Sequence, residues 1–322
     1  GTGAGSFAAA GMLGAWLLDA GRDDDACGAL QRARELGCDD PVMLRNLALA
    51  TVRTGGDPAE AADLYETALA HRPDPRLVLE RDLLAQLTGT DAAARLALLE
   101  RHSAALDARD DLAVTHVGLL LDADRVDDAW RILTTRVFRP FEGGEGIVLA
   151  AYDRAACLLA RRFCAEGRAD AAVALLEAGI DAPANLGEGR HPAVPQAERF
   201  VALGDAHRLE GDDAAARAAW ERAAASTPLA VAPRPADEAT FWIGIAHTRL
   251  DETSAAEAIW DALDLRAAQI EAAPDEVDYF ATSLPELLVF DLDTPDRRRA
   301  QAAALRALAT AGRATTHERM NA

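Results

Sequence analysis

Residues 200–228 read FVALGDAHRLEGDDAAARAAWERAAASTP, and residues 241–263 read FWIGIAHTRLDETSAAEAIWDAL. Laid over each other, Leu203, Gly204 and His207 fall where Ile243, Gly244 and His247 fall. Ala216, Trp220 and Ala223 then meet Ala256, Trp260 and Leu263. Steps of three and four put each trio on one helix face. Small residues let the two helices of a pair approach closely, and the large ones fill the gap to the next pair. One helix-turn-helix unit has been written twice, and a unit of this size buries its apolar face by stacking.

The same register runs back through the chain. Leu13, Gly14 and Leu17 pair with Ala26, Leu30 and Ala33. Leu47 and Ala48 pair with Ala61, Tyr65, Ala68 and Pro73; a degenerate unit covers 75–104. Gly118 and Leu121 pair with Ala129 and Leu133, and Leu159, Ala160 and Phe163 with Ala172, Leu176 and Gly179. Turns such as AGRDD, EGRAD and EGDD separate the helices of a pair. This resembles the tetratricopeptide repeat, whose period is ~34 residues. The resemblance implies an all-α fold, a right-handed α-solenoid of about seven tetratricopeptide-like helix pairs over 1–322. Regular repeats occupy 1–138, repeats with long loops 139–290, and a terminal helix 291–322.

Composition agrees. Half of the 322 residues are hydrophobic and only 5 % aromatic, so Ala and Leu carry the apolar surface and favour close helix packing. Lys is absent, and the net charge is −20. That charge disfavours nucleic acid and anionic membrane as partners, because phosphate binding needs clustered cations. No apolar run approaches the ~18 residues of a membrane span. Cys27, Cys38, Cys157 and Cys164 form no CxxC pair. They read as small buried hydrophobes in a reducing compartment, which suggests the cytoplasm. No cofactor motif is present: there is no nucleophile elbow, no phosphate loop and no zinc spacing.

Later repeats lengthen. Gly118 to Ala160 is 42 residues, Ala160 to Gly204 is 44 and Gly204 to Gly244 is 40. The added residues follow the second helix of each pair. Two of these stretches are alike: FRPFEGGEG at 138–146 and DAPANLGEGRHP at 181–192. Equivalent loops of a solenoid leave one edge, so the two are expected to be neighbours.

Four blocks extend the resemblance: RDDLAVTHVGLLLDADRVDDAWRIL, FRPFEGGEG, PANLGEG and DYFATSLPELLVFDLD. Together they resemble the helical C-terminal region of bacterial proteins carrying domain of unknown function 5107. Those proteins look like carbohydrate-active proteins with β-sandwich domains ahead of the repeats. The resemblance implies a docking or scaffolding module whose partner is a protein or an in-chain β-rich domain, with carbohydrate nearby; a free-standing protein–protein adaptor with no sugar connection is the other reading. Phe141 replaces the Trp usual in the first block, and Ala182-Pro183 replaces the aromatic-Pro start of the second.

The loop acids are Glu142, Glu145 and Glu188. Paired carboxylates ~5–9.5 Å apart hydrolyse glycosidic bonds, and neighbouring repeats permit that spacing. The simpler reading is that the glycines turn the chain and each Glu caps the helix that follows. Between the two lies a carboxylate that supports a neighbouring domain's sugar site. Phe141, Asn185 and His191 are expected beside these acids, with Tyr279 and Phe280 as a stacking pair or a core plug. Asp291 and Asp293 offer oxygens to Ca²⁺, though capping of the next helix explains them as well. His207 and His247 share one slot and read as satisfied core histidines. A carboxylate clamp for peptide C-termini is poorly supported without Lys, and a basic or neutral partner suits the field.

Overall fold

A computed structural model describes residues 6–141, 143–191, 194–226, 236–273, 289–290 and 294–320. Among these there are sixteen α-helices and no strand. They divide into two compact units, one of 6–119 with 289–290, the other of 120–273 with 294–320. The first holds α1 (Phe7–Asp19), α2 (Asp23–Glu35), α3 (Pro41–Arg53), α4 (Pro58–His71), α5 (Pro75–Leu87), α6 (Ala92–Glu100) and α7 (Ser103–Ala108). α8 (Asp110–Asp122) crosses the boundary. The second holds α9 (Val126–Thr135), α10 (Ile147–Ala165), α11 (Ala169–Ala178) and α12 (Ala197–Glu210). It continues with α13 (Asp213–Ala224), α14 (Glu238–Arg249), α15 (Thr253–Ala272) and α16 (Pro295–Met320). In each unit consecutive helices pack together, and α1 with α3, α10 with α12, and α12 with α14 pack as alternate ones. That is the contact pattern of stacked helix pairs, the all-α repeat architecture that the register predicts.

Local chemistry sets the starts of the early helices. Asp40-Pro41, Asp57-Pro58 and Asp74-Pro75 each place an acid at the cap and a proline at the first helical position. Asp40 Oδ1 accepts from the Val42 and Met43 N–H groups, Asp57 from Ala59 and Asp74 from Arg76.

The small-against-large register decides the packing of the second unit. Trp220 and Trp260 are both buried. A Cβ at Gly204 would lie 2.3 Å from Trp220 Nε1, and one at Gly244 would lie 2.3 Å from the Trp260 ring. Gly312 of α16 closes the other side of Trp260, with 2.6 Å left for a Cβ. The Trp260 indole N–H donates to Thr316 Oγ1 at 3.2 Å, so its one polar atom is satisfied inside the core. Gly14 plays the same part against Leu30.

The histidine slot differs from the expectation. His207 and His247 are half-buried rather than core residues, and they sit in the last turns of α12 and α14. His247 Nδ1 lies 2.7 Å from Glu252 Oε2, and His207 Nδ1 lies 3.4 Å from Glu210 Oε2. The slot faces the turn between paired helices, where acids gather. Of the cysteines, Cys157 is buried and the other three are half-buried; none is in a disulfide. Burial pushes the Cys157 thiol up, away from thiolate chemistry.

The first unit buries charge as well as apolar surface. Glu80 of α5 is almost fully buried and accepts from Arg45 Nε and Nη2, both at 2.7 Å. Arg76 Nε adds a bond at 2.8 Å and the Tyr65 hydroxyl another at 3.0 Å. Burial alone would raise the Glu80 pKa, but the bonds and charge of Arg45, then Arg76, hold it below the ordinary glutamate value. Asp82, fully buried, takes a two-pronged bond from Arg95, both prongs at 2.8 Å.

Two outcomes follow from this packing. Trp260→Ala is expected to cost ~3–5 kcal/mol in urea unfolding, and Gly244→Ala ~1–3 kcal/mol by overpacking. The double variant is expected to lose less than the sum, because alanine space replaces indole against the new Cβ. The second concerns acid. A carboxylate with a depressed folded pKa stabilises above its unfolded pKa and loses that contribution as pH falls through the folded value. Melting temperature is therefore expected to fall below about pH 4.3, and Glu80→Gln, less stable at neutral pH, is expected to flatten that limb.

Candidate functional site

The two glycine-acid loops do meet, and their polar atoms close three helix ends. The first loop joins α9 to α10; the second joins α11 to α12 through a short 3₁₀ turn at Ala184–Leu186. Phe138 of the first loop donates its N–H to the Asn185 carbonyl at 2.8 Å. Gly187 has φ +75°, and a Cβ there would lie 2.4 Å from the Phe138 carbonyl oxygen. Only glycine fits both the left-handed backbone and the close approach.

Asn185 points its amide at the C-terminal end of α9. Nδ2 donates to the Leu133 carbonyl at 2.8 Å and to the Arg136 carbonyl at 2.9 Å. Glu188 does the reverse at α10. Its Oε2 accepts from the Gly146 N–H at 2.6 Å and its Oε1 from the Leu149 N–H at 2.8 Å. A carboxylate on the positive end of a helix supplies a cap and a favourable charge together. The expected local cap is thus replaced by a distant one. Glu188 closes the helix after the first loop, whereas α12, the helix after its own loop, has Gln196 at its cap position and no side-chain cap. The reason lies in Gly146, the cap residue of α10, which has φ +78° and no side chain to offer.

The third end is that of α11. Arg190, just after the second Gly-Glu-Gly, donates to the Ile180 carbonyl at 3.0 Å and the Gly179 carbonyl at 3.0 Å. Arg199 of α12, fully buried, donates to the Leu176 carbonyl at 2.9 Å. Both guanidinium groups reach Asp153 of α10, Arg190 at 2.6 and 2.8 Å and Arg199 at 2.5 Å. Two cations share one carboxylate, and the negative end of α11 takes up the remaining charge. Gly179 leaves room for this guanidinium, since a Cβ would lie 2.3 Å from Arg199 Nη1 and would displace it.

The other sequence candidates lie apart from this clasp. Glu145 is exposed, and among the described residues its carboxylate has no partner. Phe141 is half-buried with its ring over Gly144, where a Cβ would lie 2.4 Å away. His191 is exposed, and its carbonyl accepts from the Val194 N–H at 2.9 Å. Glu142, Tyr279, Phe280, Asp291 and Asp293 fall outside the described residues. Sequence reading missed Asp153, Arg190 and Arg199 as partners of the loops. The Arg that follows Gly-Glu-Gly was the visible signal, whereas Asp153 and Arg199 lie inside helical stretches where a charge reads as solvated surface.

Among the described residues no group of three or more His, Cys, Asp or Glu is placed to hold a metal ion. None of the described helices is long and apolar enough to cross a membrane. No known protein-family pattern matches the chain. Among solved structures, it is similar to a tetratricopeptide repeat protein from Parabacteroides merdae, at 13% identity over 94% of this chain and 98% of that one, TM-score 0.46. It is also similar to a chain of the Naa15/Naa10 complex bound to HypK-THB, at 15% identity over 92% of this chain and 41% of that one, TM-score 0.44. A third is the TPR2AB domain of yeast Sti1 in complex with pHSP90, at 13% identity over 92% and 98%, TM-score 0.35. At such identities and scores the likeness concerns fold alone, and the helix-pair architecture rests on the packing described above.

The two kinds of loop acid separate experimentally. Asn185→Ala and Glu188→Ala are each expected to cost ~1–2 kcal/mol in chemical denaturation, the range for a lost helix cap. Glu145→Gln is expected to change stability by less than ~0.5 kcal/mol.

Proposed function

We propose that the chain is a helical docking scaffold for a protein partner and that its Gly-Glu-Gly loops are architectural. One observation carries this reading: Asn185 and Glu188 spend their polar atoms on helix ends. A carboxylate already bonded to two backbone N–H groups is committed to its helix and is a poor proton donor for a glycosidic oxygen. A chain of −20 net charge selects basic or neutral partners. The free thiols suit a reducing compartment, the cytoplasm. The block resemblance adds a context, a bacterial carbohydrate-active protein in which 1–322 acts as one array beside a β-rich domain.

A second reading keeps one observation of its own. Exposed Glu145, without a partner among the described residues, is free to complete a sugar site on a neighbouring domain.

The reading frame upstream of Gly1 tests the context: a β-rich domain in frame is expected, and a start codon at that point overturns it. Where the domain is present, its affinity for this chain is measured by calorimetry, and glycan hydrolysis is assayed on the joined protein. Scaffolding predicts binding, with hydrolysis unchanged by Glu145→Gln. Loss of hydrolysis with binding intact moves the function to the second reading.

A further inference from the structure

We propose that the pocket between the starts of α3 and α5 is an oxyanion site that takes a phosphate monoester.

The pocket lies within the first unit and has a volume of about 190 Å³. α3 contributes Arg45 and Asn46, the residue that ends α4 contributes Arg72, and α5 contributes Arg76. The first turns of α3 and α5 both line it, and the start of a helix carries partial positive charge.

Asn46 decides the chemistry. It is only 8% exposed. Its Oδ1 accepts from Arg45 Nη1 at 3.0 Å, which turns the amide nitrogen the other way. That nitrogen donates to no atom of the described residues. A donor this deeply placed is costly to leave unmatched, so what enters the pocket supplies its acceptor. The oxygens nearby are already taken. Glu80 accepts from Arg45, Arg76 and Tyr65. Asp74 accepts from the Arg76 backbone N–H at 2.9 Å and from Arg72 Nη2 at 3.1 Å. Each of the three guanidinium groups has five N–H donors, more than these acids use. Three arginines against Asp74 and Glu80 leave the site positive, a local exception in a chain of net charge −20. Donors in excess and oxygens already bonded select an anionic acceptor.

Geometry separates phosphate from carboxylate. The donors come from three segments, α3, the end of α4 and α5, so they approach a ligand from more than one plane. A planar carboxylate offers two oxygens, whereas a phosphate monoester offers three and carries about −1.5 to −2 charge at pH 7. Guanidinium forks match phosphate oxygens in pairs. Val42, 52% exposed, and buried Leu77 give the organic part of the ester an apolar wall.

Calorimetry on the purified 322-residue chain tests this with N-acetyl-O-phosphoserine amide, with the planar N-acetylglutamate amide, and with inorganic phosphate. The phosphoserine probe is expected to bind more than about tenfold tighter than the glutamate probe. Asn46→Asp keeps the Arg45 contact but puts an acceptor where the donor stood, and is expected to weaken phosphoserine binding by more than about tenfold. Arg72→Gln is expected to weaken it about fivefold. The Arg72 side chain is 59% exposed, so this variant is expected to melt as wild type does. Inorganic phosphate that binds as tightly as the phosphoserine probe upholds the site for a free anion, and weaker binding upholds it for an ester. A glutamate probe that binds as tightly as phosphoserine overturns the phosphate assignment. Absence of phosphoserine binding up to about 10 mM overturns the proposal. Binding untouched by both variants places the anion elsewhere and overturns it as well.

Discussion

The fold depends on one distance, the approach of the first helix of each pair to the second. Where Gly14, Gly204 and Gly244 stand, no Cβ fits, because Leu30, Trp220 and Trp260 occupy that space. The large side chain therefore lies across its own pair and reaches toward the next one. Trp260 shows how far this goes, with Gly244 on one side and Gly312 on the other. An indole between two glycines turns close approach into buried area, and its N–H still finds Thr316. With aromatics at only 5 % of the chain, each such residue carries much of its layer.

Long loops between pairs create a second problem, which the clasp of Asn185, Glu188 and Arg190 answers. A helix leaves four N–H groups at its start and four carbonyls at its end without intrahelical partners. Early in the chain, Asp-Pro starts settle the N–H side within the next three residues. Around the lengthened loops the settlement becomes mutual: the second loop closes α9 and α10, and Arg190 with Arg199 closes α11. The resemblance between FRPFEGGEG and PANLGEG hides a division of labour. Gly146 in the first is the end being capped, whereas Glu188 in the second is the cap.

How much of this was legible in sequence depends on the range of each interaction. The small-large register is written at steps of three and four, so helix pairs and the buried tryptophans could be read directly. The meeting of the two loops followed from their equivalent places in the repeat. The direction of capping did not, because a Glu ahead of a helix reads the same whether it serves that helix or one forty residues away. The histidine slot misled for a related reason: a shared position in the register fixes the face of a helix, but a residue in its last turn lies beside the connecting turn. Buried ionic partners were the least visible. The local Arg76 makes Glu80 read as a surface pair, and the distant Arg45 completes its buried site; half-buried Asp153 is reached only by the distant Arg190 and Arg199.

Those ionic partners explain how an acidic chain without lysine keeps charge inside. Removing a carboxylate from water is costly unless its oxygens are matched by donors of fixed geometry. A guanidinium fork meets both oxygens at once, which an ammonium cannot do. Arg45 on Glu80, Arg95 on Asp82 and Arg190 on Asp153 all use the fork. A Lys would replace two bonds of fixed geometry by one at each site, with Arg76 and Tyr65 at Glu80, Gln86 at Asp82 and Arg199 at Asp153 left to serve the remaining oxygen, so the fork favours arginine here beside any compositional bias. The excess acid is then left for the surface.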